Sequence, residues 1–168
     1  IGAPGNGNPP FKWTGSGNIA AVGGTPPYAK TLCSYVGFLM LANISDSGTF
    51  TDLELGPITV RYSDDWDADW AVCRTDGSSN ELTLDETRGE IRASGVVGRT
   101  SLFLKSDGIV GVRWVGGGVR FTQEKLDFDN GIIAPLSFQT VGDNGAIFLA
   151  TDMELYFTDG QRVKPLPP

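Results

Sequence analysis

Histidine is missing altogether from this 168-residue chain. That removes the imidazole bases of catalytic triads and dyads, and most zinc sites with them. Cysteine is scarce. Cys33 and Cys73 have no CxxC spacing and are too few for a disulfide framework, so they read as two reduced thiols of the core. Long apolar runs are also lacking; none approaches the ~20 residues of a membrane span. Positive charge is in deficit, with 13 Lys and Arg against 20 Asp and Glu, a net charge of −7 and a pI near 4.5. Such a surface repels nucleic-acid phosphates rather than gripping them. A wall lining a passage for DNA can still be acidic, because a wall that does not stick lets the strand slide. The chain opens on Ile1 with nothing of signal-peptide character, so it reads as a piece of something longer or as a chain whose start is removed.

What is abundant is turn chemistry. There are 23 glycines and 10 prolines, about a fifth of the chain, so the elements must be short. Short elements with frequent breakers point to an all-β fold. Residues 1–27 carry little hydrophobic periodicity and read as an extended Gly/Pro-rich arm that takes its order from a neighbour. Strands follow: "YAKTLCSYV" (28–36), "FLMLANI" (38–44), "PITVRYS" (57–63) and "ELTL" (81–84). The next four are "EIRASGVV" (90–97), "TSLFLKS" (100–106), "IVGVRWV" (109–115) and "VRFTQEKL" (119–126), with Asp107-Gly108 as a hairpin signal. The last four are "IIAPLSFQTV" (132–141), "AIFLAT" (146–151), "MELYFT" (153–158) and "QRVKPL" (161–166).

The β domain, 28–168, therefore divides into three blade-like units, 28–84, 90–126 and 132–166. An offset of 45 residues lays Phe103 on Phe148, Leu104 on Leu149 and Asp107 on Asp152. Phe103 and Phe148 are thus the expected repeat core. A four-stranded antiparallel meander repeated with tight turns is the pattern of β-propeller blades. One small sheet cannot bury both faces alone, and stacking buries the inner strands. The expected fold is a partial propeller of about three units; a β-sandwich of short strands is the alternative. Three blades do not close a ring, which leaves apolar faces for partners. Phe11 and Trp13, isolated aromatics in the arm, are the expected anchors on a neighbour.

Candidate chemical motifs are few. "GSGNIA" (15–20) fits a loose dinucleotide fingerprint, but no strand precedes it and no helix can follow, so no cofactor is expected. In "SDDWDADW" (63–70), Asp65, Asp67 and Asp69 have the alternating spacing of a calcium loop. Trp70 stands where that loop needs glycine and Asp76 where it needs glutamate. The stretch reads instead as a loop anchored by Trp66 and Trp70, with solvated aspartates and no metal. A glycosidase needs only two carboxylates across a cleft, and no spacing among the 20 acids singles out a pair. A carbohydrate-binding or glycan-cleaving propeller stands as the alternative function, by fold analogy alone; the chain is read as a non-enzyme.

In order, "KWTGSGNIAAVGGTPPYAK" (12–30), "GFLMLANIS" (37–45), "VRYSDDWDADW" (60–70), "LTLDETRGEIRASGVVG" (82–98) and "LFLKSDGIVGVRW" (102–114) resemble tail proteins of tailed bacteriophages. The motifs are an Arg-Tyr-Ser-Asp strand end before a Trp loop, an Asp-x-x-x-Gly-Glu-Ile segment and Leu-Phe-Leu-Lys. The resemblance spans residues 12–166 and is to β-propeller-like nozzle or hub proteins that continue the portal channel. It implies a structural virion component, assembled in the host cytoplasm and located in the tail, with no catalytic residues to carry over. Its implied partners are other tail proteins and copies of itself, with DNA passing through without tight binding. Members of that family are several times longer than this chain.

Overall fold

The structure, a computed structural model, describes residues 10–12, 15–22, 26–45, 55–63, 80–117, 120–126 and 128–167. Within them the chain is all-β, with two three-residue 3-10 turns and no α-helix. Three four-stranded antiparallel sheets follow one another, and each is a meander in chain order. The chain separates into two compact units, 1–83 and 84–168.

The first unit holds β1 (Phe11–Lys12), β2 (Ala20–Ala21), β3 (Tyr28–Tyr35), β4 (Phe38–Ser45), β5 (Thr59–Tyr62) and β6 (Glu81–Thr83). Val36 and Gly37, at φ 51° and 82°, make the two-residue turn that returns β3 into β4. The near-continuous apolar run of β4 is buried from Leu39 to Ile44, as expected of a strand covered on both faces. Asn43, at φ 56°, interrupts the alternation, and Ile44 joins Leu39 and Leu41 in one cluster with Ala29 and Val22. Part of the Gly/Pro-rich segment thus packs on its own unit. β1 pairs with β2, and the Val22 amide donates to the Pro10 carbonyl at 3.0 Å. Arg61 bonds Glu81 across β5 and β6 at 2.9 Å.

The second unit contains β7 (Ile91–Val97), β8 (Thr100–Lys105), β9 (Ile109–Trp114) and β10 (Phe121–Lys125) in one sheet. Its other sheet holds β11 (Gln139–Thr140), β12 (Ala146–Leu149), β13 (Leu155–Thr158) and β14 (Val163–Pro165). The two sheets stack face to face. Ala93, Val97, Leu102, Leu104 and Ile109 of the first share a core with Ala146, Phe148 and Ala150 of the second. Among the described residues no strand crosses between them, so each sheet is a complete meander, an order that neighbouring blades and a two-layer sandwich without Greek-key connections share. β8 is buried along its whole length, so both of its faces are covered.

One expected strand is corrected. Residues 132–141 do not form a continuous strand. Ile132 makes a lone bridge to Ala150, a 3-10 turn runs over Pro135–Ser137, and only Gln139–Thr140 pairs with β12. Pro135 has no N–H to give a ladder, and its fixed φ suits the start of a turn.

The sheets approach closely at two glycines. Gly95 leaves room for the Phe138 ring, and a Cβ on Gly131 would run into the backbone of Ser106. Around Gly131, the Ile132 amide donates to Lys105 and the Thr151 amide to the Gly131 carbonyl, both at 2.9 Å. Because the obstacle at Gly131 is main chain, it cannot rotate away. Gly131→Ala is expected to cost about 1–3 kcal/mol, read as a lower urea midpoint at unchanged slope.

Candidate functional site

Two surfaces of the second unit gather chemistry: the outer face of β11–β14 and a polar groove beside β10 and β14. The outer face follows from register. Ala146 and Phe148 point into the shared core, so Ile147 and Leu149 point away from it. Their partners on β13 are Phe157 and Leu155, and Lys164 stands opposite Phe157 on β14. The Leu166 amide donates to the Leu155 carbonyl at 2.8 Å, extending the apolar row by one residue. Leu155 is 50% exposed, Leu166 38% and Met153 68%. Met153 holds a left-handed backbone at φ 69°, an uncommon conformation for a side chain of its size.

Charge is distributed unevenly around this face. Asp152 and Glu154 stand beyond the start of β13. The Asp152 carboxylate accepts from the Tyr156 hydroxyl at 2.7 Å and from the Asn130 amide at 2.8 Å. The hydrogen bond to Asp152 holds the Tyr156 proton and raises its pKa above the ordinary value. At the other end, Asp159 accepts from the amides of Gln161 and Arg162, at 2.9 and 2.8 Å. These backbone donors lower its pKa, that of Arg162 first. Lys164 and Arg162 give this end its cations.

The groove is lined by Arg113, Glu124, Lys125, Gln161, Arg162 and Lys164. Two of its cations are engaged, Arg113 with Glu124 at 3.7 Å and Lys125 with Asp129 at 2.7 Å. The Lys125 hydrogen bond lowers the Asp129 pKa. Among the described residues there is no group of three or more His, Cys, Asp or Glu able to hold a metal ion.

A third cluster, at the end of β8, accounts for two motifs of the sequence. The Lys105 side chain is fully buried, and its ammonium donates to the carbonyls of Leu84 at 2.6 Å and Thr87 at 2.5 Å. Burial lowers its pKa, against the pull of Asp107 and Asp85. The Gly89 amide donates to Asp107 at 2.6 Å, and the Ser106 amide to the Glu90 carbonyl at 2.9 Å. The Asp-x-x-x-Gly-Glu-Ile segment (85–91) and Leu-Phe-Leu-Lys (102–105) thus latch onto each other. Their spacing brings the two motifs within hydrogen-bonding reach.

Phe103 and Phe148 both lie in the second strand of a four-stranded sheet, and both are fully buried. Phe148 sits within an aromatic group, 5.7 Å from Phe128 and 5.9 Å from Tyr156 between ring centroids. Phe11 lies in β1 with 36% exposure. Trp13, Trp66, Trp70, Asp65, Asp67 and Asp69 lie outside the described residues. Residues 15–19 run as bends into β2 without a helix. Sequence reasoning missed the Lys105 latch and the outward row of β12 and β13. The row had a signal, since "AIFL" and "ELYF" are apolar at both parities, the mark of a sheet with two faces to cover. No helix among the described residues is long and apolar enough to cross a membrane. No protein-family model and no curated protein matches the chain.

Proposed function

We propose that the chain is a structural component of a bacteriophage tail, contributing tandem blade-like sheets to the nozzle or hub region around or beside the DNA exit channel. One observation carries this reading: each sheet of the second unit is a complete meander, and β11–β14 supplies the cover for β7–β10. An architecture that grows by adding sheets in chain order suits a protein whose task is to be part of a wall. The net charge of −7 suits a wall along which DNA slides without being held. The phage-tail motifs support the reading from the sequence side. Its implied partners are other tail proteins and further copies of the chain.

The test is genetic. The gene is inactivated in its phage and supplied again in trans, and purified particles are assayed for the protein and for DNA delivery. Expected are particles that carry the protein when it is supplied, and that lack infectivity without it. Normal infectious particles made without the protein would overturn the proposal. Release of sugars from surface glycans by the purified protein would move the function to the glycan-cleaving alternative.

A further inference from the structure

We infer that Asn144-Gly145, in the turn between β11 and β12, is a site of spontaneous backbone modification, while the fold holds a second pair, Asn130-Gly131, unreactive. The reaction is independent of the tail assignment. Asparagine is chemically labile, and most so before glycine, where no Cβ hinders the next amide nitrogen from reaching the side-chain carbonyl carbon. The sequence has three such pairs, at Asn6, Asn130 and Asn144, of which Asn6 lies outside the described residues.

The two described pairs stand in opposite surroundings. At Asn130 the side-chain amide donates to the Asp152 carboxylate at 2.8 Å. Gly131 is buried, and a Cβ there would meet the main chain of Ser106 and Asp107. The Gly131 carbonyl accepts from the Thr151 amide, and the Ile132 amide donates to the Lys105 carbonyl, both at 2.9 Å. To react, Asn130 must give up a charge-assisted hydrogen bond and move a backbone fixed on both sides. Asn144 has neither restraint. Residues 142–144 are exposed, and Gly142 bends the chain at φ 61°. Among the described residues, neither the Asn144 side chain nor the Gly145 amide has a hydrogen-bond partner. Gly145 packs against the Phe157 ring, a side chain that can turn aside, where Gly131 meets main chain that cannot.

The chemistry needs only water. The Gly145 nitrogen loses its proton to solvent base and bonds to Cγ of Asn144, and the side-chain amide leaves as ammonia. Water then opens the five-membered imide. Cleavage of the new Cγ–N bond gives aspartate on an unchanged backbone. Cleavage of the original peptide C–N bond gives isoaspartate, in which the main chain runs through Cβ and Cγ. Either product adds one negative charge to the −7 of the chain, in a groove lined by Arg99, Arg113, Asp143 and Asp159. The loop is closed by the Val141 amide on the Gly145 carbonyl at 2.8 Å, and tied to the β7–β8 turn by the Gly98 amide on Asp143 at 2.9 Å. Isoaspartate makes the chain one carbon longer inside that closed loop, so the Val141 bond loses its fit.

The test incubates the intact chain in mildly alkaline buffer, folded and in urea. Residues 130 and 144 are followed by proteolysis and mass spectrometry, with isoaspartate confirmed by a protein-isoaspartate methyltransferase. In the folded chain residue 144 is expected to convert about tenfold or more faster than residue 130, the effect of one charge-assisted hydrogen bond on a rate. In urea the two should convert at similar rates. The isoaspartyl form should exchange its Val141 amide hydrogen faster than the unconverted chain. Asn144→Ser, which cannot form the imide, should keep that exchange unchanged through the same incubation. An Asn144 that stays intact in the folded chain, conversion at residue 130 as fast as at 144, or a difference that persists in urea would overturn the inference.

Discussion

Phe148→Ala is expected to destabilise the protein by about 3–5 kcal/mol, the range for deleting a buried phenyl ring without collapse of its site. The ring is fully buried between the two sheets of the second unit, and Phe128 meets it edge-on at 5.7 Å. Its removal opens a cavity at the contact that joins β12 to β8, and the neighbours there are themselves fixed in strands. Urea denaturation followed by tryptophan fluorescence and by far-ultraviolet circular dichroism measures the loss. A cost below about 1 kcal/mol would mean that the sheets are not stacked on this ring. Phe148→Leu keeps most of the volume and should recover much of the stability.

Lys105→Met should show a stability deficit that depends on pH. The substitution keeps an apolar stem but leaves the Leu84 and Thr87 carbonyls without their donor. Leaving buried acceptors unpaired costs about 1–3 kcal/mol each, offset in part because a buried ammonium is removed. The pH dependence follows from the sign of the shift. Burial lowers the Lys105 pKa below its ordinary 10.5, so the folded protein releases this proton before the unfolded chain does. Between the lowered value and 10.5, unfolding takes up a proton, and this group makes stability rise with pH. Below the lowered value the contribution is flat. The wild type should therefore gain on Lys105→Met as pH rises through that window, read from urea midpoints of both proteins across the alkaline range. A gap that narrows with pH would contradict the burial of the charged form. Tyr156 works in the opposite sense: its raised pKa removes stability as pH climbs above 10.0, equally in both proteins.

The strands were legible wherever hydrophobic pattern and turn chemistry agreed. "TSLFLKS" between Gly98-Arg99 and Asp107-Gly108 gave β8 within a residue, because each end carries a residue suited to a turn. "FLMLANI" gave β4 because only a strand covered on both sides tolerates so long an apolar run. "IIAPLSFQTV" misled, since its apolar content matched a strand while Pro135 withheld the ladder donor. The 45-residue offset placed Phe103 and Phe148 in the same strand of successive sheets, as a repeat must. What stayed hidden in the sequence was long-range pairing. Nothing local to Lys105 announces that its ammonium ends on carbonyls some 20 residues back, because those acceptors are main chain and have no sequence signature. The outer face of β11–β14 was legible only as a general expectation of uncovered blades; which residues form it required the register.

Cryo-electron microscopy of phage tails assembled with this chain supplied is the most direct measurement of its proposed place in a tail wall. The expected map holds the stacked meanders of residues 91–165 in several copies around or beside the channel. A complete tail in which no density fits those two stacked sheets would contradict it.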